Sequence, residues 1–161
     1  MSKASLFLAA ALMGVSGGVF AQAAKPAQAT AAQPAPARMT PAQEAEAQKQ
    51  VQASMQVIKA IDQNQAGAVW DQSSSVAKAA TKRADFVRQI TADRAKLGAP
   101  SQRQLAGVSR SESKGGTIPA GVYINVSYAT KFANAPQPVR ELVSYHQDSD
   151  KVWRVAGYSV R

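Results

Sequence analysis

The apolar residues of this chain change their spacing once, at Gly98–Pro100. Upstream, Val51, Met55, Ile58 and Ile61 recur at intervals of four, three and three. That interval puts them on one stripe of an amphipathic helix. Downstream, Val122, Ile124, Val126, Tyr128 and Phe132 occupy alternate positions, with Asn125, Ser127 and Lys131 between them. That alternation belongs to a strand with one buried face. Helical period first and strand period second predicts an α+β domain, with N-terminal helices packed on one face of an antiparallel sheet.

The punctuation refines this. Thr40-Pro41-Ala42-Gln43 reads as a helix start: Thr caps, Pro fits the first helical position, and Gln sits where a capping box needs it. Asp62-Gln63-Asn64-Gln65 ends or turns that helix. A short second helix is expected over 66–73, around Val69 and Trp70. A third is expected over 82–97, capped by Thr81, with Phe86, Ile90 and Leu97 as its stripe and Val87 beside them. Gly98 and then Pro100 stop it in the usual order. Four strands follow: 102–113, weak and polar, then 121–133, 139–147 and 152–161. Lys114-Gly115-Gly116, 134–138 and 148–151 supply the turns. About 120 residues can bury close to two-thirds of their unfolded surface, enough for one core.

The first residues read as an address. Lys3 precedes an apolar run from Ala4 to Val15, Gly17-Gly18 breaks it, and small residues permit cleavage after Ala21 or Ala23. This is the pattern of a bacterial secretory signal peptide over 1–23, and it implies the periplasm or the exterior. Residues 24–39, built of Ala, Pro, Gln and a few others, hold no large apolar residue except a final Met, and suit a disordered linker. The domain then runs over 40–161.

The chain has no cysteine, which excludes a disulfide framework, a thiol nucleophile, an iron–sulfur cluster and any Cys-ligated zinc. No apolar run reaches the roughly 20 residues needed to cross a bilayer, so stable membrane insertion after signal removal is not expected. The net charge of +9 is spread, not gathered in a stripe, and no nucleic-acid partner is expected. Weak, salt-screened attraction to anionic lipid headgroups or wall polymers is the most that such charge implies.

Two stretches resemble a known family. AIDQNQAGAVWDQSS (60–74) and VWRVAGYSVR (152–161) are similar to the signature stretches of the bacterial secreted family called domain of unknown function 4019, and FVRQITADRAKLGAP fits between them. The resemblance covers roughly residues 55 to 161. It implies a curved four-stranded antiparallel sheet wrapped around the first long helix, the cone of nuclear-transport-factor-2-like (cystatin-like) folds. It implies no catalytic residues, and that fold hosts enzymes and binding modules alike.

The residues themselves offer little chemistry. His146 is the sole histidine, so no metal set can form around it, and no cofactor motif is present. A surface or structural role is expected for it. Asp62 and Asp71 flank the Trp70 helix, where solvated turn or capping roles are expected. Trp70 and Phe132 are assigned to the core. Tyr128, Tyr145, His146 and Trp153 are the candidates for lining a ligand pocket. Tyr128 shares a face with Val122, Ile124 and Val126, while alternation does not assign the faces of Tyr145 and Trp153. The expectation is an exported, non-enzymatic module that binds a small ligand or an envelope protein. The alternative is a small isomerase, dehydratase or hydrolase with His146 or an Asp as general base. A homodimer through the open sheet face is compatible with this pattern but not demanded by it.

Overall fold

The computed structural model describes residues 38–161; the expected signal peptide and all but the last two residues of the expected linker lie outside them. Four helices precede four strands: α1 (Pro41–Asp62), α2 (Ala66–Asp71), α3 (Ser75–Ala80), α4 (Arg83–Leu97), β1 (Pro100–Ser113), β2 (Gly121–Phe132), β3 (Val139–Gln147) and β4 (Trp153–Val160). The strands form one curved antiparallel sheet in the order β1-β2-β3-β4. The α+β class is therefore as the periodicity requires. Among the described residues no helix is long and apolar enough to cross a membrane.

α1 begins as expected. Thr40 Oγ1 accepts from the Gln43 amide at 3.3 Å, and Gln43 Oε1 accepts from the Thr40 amide at 2.9 Å. Its buried stripe differs from the aliphatic one. The buried positions are Ala47, Gln50, Ser54, Ile58 and Ile61, while Met55 is 41% exposed. The reason is a polar contact across the core. Ser54 Oγ lies 2.7 Å from the Val51 carbonyl oxygen and 2.7 Å from the Tyr128 hydroxyl, with which it shares a hydrogen bond. That bond rotates Ser54 inward and Met55 outward.

The sequence predicts three helices. The additional one, α3, is a six-residue turn capped by Ser74, whose Oγ accepts from the Ala77 amide at 3.2 Å. It buries none of its residues, so no apolar stripe announces it. Thr81 consequently ends α3, and Lys82 takes the N-cap of α4 without a side-chain bond.

Register assigns the sheet faces. Tyr128 opposes Glu141, Val126 opposes Val143 and Ile124 opposes Tyr145. In turn Glu141, Val143 and Tyr145 oppose Val160, Tyr158 and Val155. All of them but Glu141 and Val160 belong to the apolar core, with Ile58, Ile61, Val69 and Ile90. The opposite face carries the rows Tyr123–His146–Arg154 and Asn125–Ser144–Gly157. Phe132 is buried, as assigned. Trp70 is not: it is half-buried at the α2–α3 junction, where its indole donates to the Thr81 carbonyl at 3.2 Å.

Candidate functional site

Three clusters of side chains carry chemistry. The first is a buried ion network. Glu141 is fully buried, and its carboxylate accepts from Arg103 Nε at 2.6 Å, Thr130 at 2.7 Å, Tyr158 at 2.6 Å and Arg94 at 3.3 Å. Asp62 accepts from Arg94 and, at 2.9 Å, from Arg103. Two guanidiniums thus meet two carboxylates with no net charge. Asp62 was expected to be solvated; it is only partly exposed, because α1 ends facing both arginines. Arg94 lies one turn beyond Ile90 on the inward side of α4 and covers the Phe132 ring at 4.7 Å. Burial, with Glu141 next to it, pushes the Tyr158 phenol up. Every carboxylate here is engaged, so the network clamps α1 and α4 to the sheet. It has no spare group for acid–base work. Asp71, by contrast, sits where expected, exposed and paired with Arg83 at 2.8 Å.

The second cluster lies on the opposite sheet face. His146 is buried, and its Nδ1 meets Asp148 Oδ1 at 2.8 Å. Burial alone would raise the Asp148 carboxyl, but hydrogen bonds from His146, the Ser75 amide and Arg154 together hold it below the usual carboxylate range. Arg154 also grips Asp150 at 2.8 Å and 2.9 Å and holds its carboxyl down at about 2. The remaining ring nitrogen, Nε2, has no partner and faces Gly121, where a Cβ would overlap it. The ring also stacks obliquely on Tyr123, with centroids 5.0 Å apart. Sealed by Gly121 and Tyr123, His146 lines none of the cavities described here.

The third is a cleft of about 710 Å³ between α1, α2 and the β3–β4 side of the sheet. Ala53, Val57 and Ala60 of α1 and Val69 of α2 form its apolar wall. Tyr145, Trp153 and Val155 form its floor, and the exposed Gln56, Gln65 and Gln72 surround it. Two of the four residues proposed for a pocket, Tyr145 and Trp153, therefore meet here. Tyr128 is locked to Ser54, and His146 is on the other face. Tyr145 Oη and Trp153 Nε1 are both shielded from solvent and have no hydrogen-bond partner among the described residues. A buried donor left unpaired costs about 1–3 kcal/mol, and neither atom is exposed to the cleft. Desolvation, with Tyr128 adding to it, pushes the Tyr145 phenol far up, so it keeps its proton. Arg154 is the one charged residue along the lining, and its guanidinium is taken by Asp148 and Asp150.

The family model described as Protein of unknown function (DUF4019) matches residues 53–158. The chain belongs to this family. No curated protein and no solved structure gives a match. The stretches that carry the family resemblance border the cleft: Ala60, Gln65, Val69 and Gln72 come from the first, and Trp153, Arg154 and Val155 from the second.

Glu141, Arg103 and Asp148 were not among the expected site residues. For Glu141 a signal existed: Val139, Val143 and Tyr145 share its alternation, which places a lone carboxylate on an apolar face. For Asp148 none did, since a turn aspartate two residues after a histidine is ordinary.

Proposed function

We propose that this chain is an exported, non-enzymatic module that binds a small ligand in the cleft between α1, α2 and the sheet. One observation carries the reading: the cleft has a volume of about 710 Å³ and an apolar lining from Ala53, Val57, Val69 and Val155, with Tyr145 and Trp153 at its floor. Clefts of this size and character are where small molecules bind. We read helices on a curved four-stranded sheet as the cone of nuclear-transport-factor-2-like folds, an architecture that fixes no activity. Export to the cell envelope rests on the pattern of residues 1–23. Retention of the uncleaved chain in the cytoplasm of an expressing bacterium would remove that part.

The test of binding is titration with a neutral apolar dye, 1-N-phenylnaphthylamine. We expect saturable binding at one site, abolished by filling the cleft with Val57→Trp and unaffected by His146→Ala. Binding that survives Val57→Trp in a folded protein, or no saturable binding at all, overturns the reading.

The enzyme alternative has one observation in its favour, the His146–Asp148 contact at 2.8 Å, which could orient a general base. Its reactive nitrogen faces Gly121 instead of a cavity. A base needs reach to a substrate proton, so the binding reading is the better supported one.

A further inference from the structure

We infer that the free edge of β1 is the contact of a homodimer. The stretch Gly107–Ser113 pairs antiparallel with the same stretch of a second copy about a two-fold axis at Ser111, and two four-stranded sheets become one.

The two edges of the sheet differ. The β4 edge is partly closed, because the Ser74 amide donates to the Val155 carbonyl at 2.8 Å. β1 is bonded to β2 alone, and among the described residues no backbone group from outside the sheet bonds Gly107–Ser113. An edge strand presents a row of unpaired amides and carbonyls, which proteins blunt with lysine, proline, a bulge or a covering element. The bulge of β1 lies near Ala106, and from Gly107 to Ser113 the register with β2 runs without a shift. That stretch holds neither lysine nor proline.

Charge selects the occupant and the register. Arg110 and Glu112 are the only charged residues of the stretch. Arg110 opposes Ile124 and Glu112 opposes Val122, so both stand on the face that carries the core. Among the described residues neither forms an ion pair. In an antiparallel contact centred on Ser111, Arg110 of each copy meets Glu112 of the other. Opposed residues have Cβ atoms about 4.5–5.5 Å apart, within reach of an ion pair. The match occurs twice by symmetry, which is the self-complementarity that a two-fold contact requires. On the other face Ser109 meets Ser113 and Ser111 meets itself, so only small neutral side chains are opposed. A contact centred on Arg110 would instead set two arginines against each other, which is unfavourable.

The experiment is sedimentation equilibrium of the purified chain, of Arg110→Glu and Glu112→Arg separately, and of those two variants mixed in equal amounts. Seven residues a side make a small interface, so we expect a weak, salt-dependent wild-type dimer, half-formed at about 100 μM or below. Each variant alone opposes like charges at both contacts and should dimerise at least about tenfold more weakly. The mixture should form a heterodimer, since one chain brings two acids and the other two bases. Thermal unfolding checks that each variant folds. Ser111→Lys, at an exposed position on the axis, should weaken the dimer in the same way if either charge reversal unfolds the chain. A wild type still monomeric at about 500 μM overturns the proposal. So does a dimer that survives the substitutions, or a mixture no more associated than its components.

Discussion

Glu141 is the residue whose loss this fold should tolerate least. Its side chain is completely buried and accepts from Arg94, Arg103, Thr130 and Tyr158. Glu141→Gln keeps the shape but removes the charge and turns an amide donor toward guanidinium donors. Arg94 and Arg103 then share Asp62 alone, leaving one uncompensated positive charge beneath the helices. Breaking one partner out of a buried pair costs about 3–5 kcal/mol. Thr130 and Tyr158 bond different carboxylate oxygens, so one of the two hydroxyls loses its acceptor as well, at about 1–3 kcal/mol if nothing replaces it, and the losses overlap instead of adding. A total near 4 kcal/mol lowers Tm by roughly 10–20 °C in a domain of this size. The assay is urea and thermal unfolding followed by circular dichroism, with Asp71→Asn as the control. Asp71 pairs with Arg83 at 2.8 Å, but both side chains are about half exposed, and its loss should leave Tm where it was. Adding Arg94→Met to a Glu141→Leu variant removes one charge of each sign and should recover part of the loss. A Glu141→Gln variant within about 1 kcal/mol of wild type would refute the reasoning, because it would mean the carboxylate is not the counterion that the arginines require.

Tyr145→Phe should leave the unliganded protein as stable as wild type or more so by up to about 1 kcal/mol, since the hydroxyl it removes is buried without a partner; a clear loss of Tm in urea or heat would contradict this. Acid should destabilise the fold in a defined window. Asp148 and Asp150 are both held below the usual carboxylate range, so they bind protons more weakly folded than unfolded, and their contribution is present above about pH 5 and lost between about pH 4 and pH 2. Equilibrium unfolding across that window checks it, with a shallower slope expected for Asp148→Asn and a rise in stability on acidification contradicting it. Gly121→Ala should cost about 1–3 kcal/mol, because Gly121 has φ +145° and the added methyl would overlap the His146 ring; a variant as stable as wild type means that the ring is not packed there. Ser54→Ala should cost about 1–3 kcal/mol by leaving the Tyr128 hydroxyl with only the 3.3 Å contact to Val51, measurable by urea unfolding, and no change would contradict the cross-core bond.

The change of period at Gly98–Pro100 was enough for the α+β order, and the Thr40–Gln43 box for the start of α1. What stayed hidden has physical causes. Met55 looked like core because an aliphatic stripe ignores a serine that bonds across to a tyrosine. α3 was invisible because six residues that bury nothing leave no pattern. The faces of β4 could not be read because a bulge at Ala156 reverses the parity: Trp153 and Val155 point inward, and so do Tyr158 and Val160. The same happens in β1, where Arg103 and Leu105 share a face with Val108 and Arg110 across a shift near Ala106. The four pocket candidates were therefore residue types without positions. Only the register brings Tyr145 and Trp153 to one wall and sends His146 to the other side.

The decisive measurement is a high-resolution structure of the chain with 1-N-phenylnaphthylamine. A ligand in the cleft, with its rings against Val57 and Val69, is the expected result. Ligand bound on the opposite sheet face near Tyr123 and Asn125, or a cleft that holds only ordered water, would contradict the claim that this cleft is the ligand site.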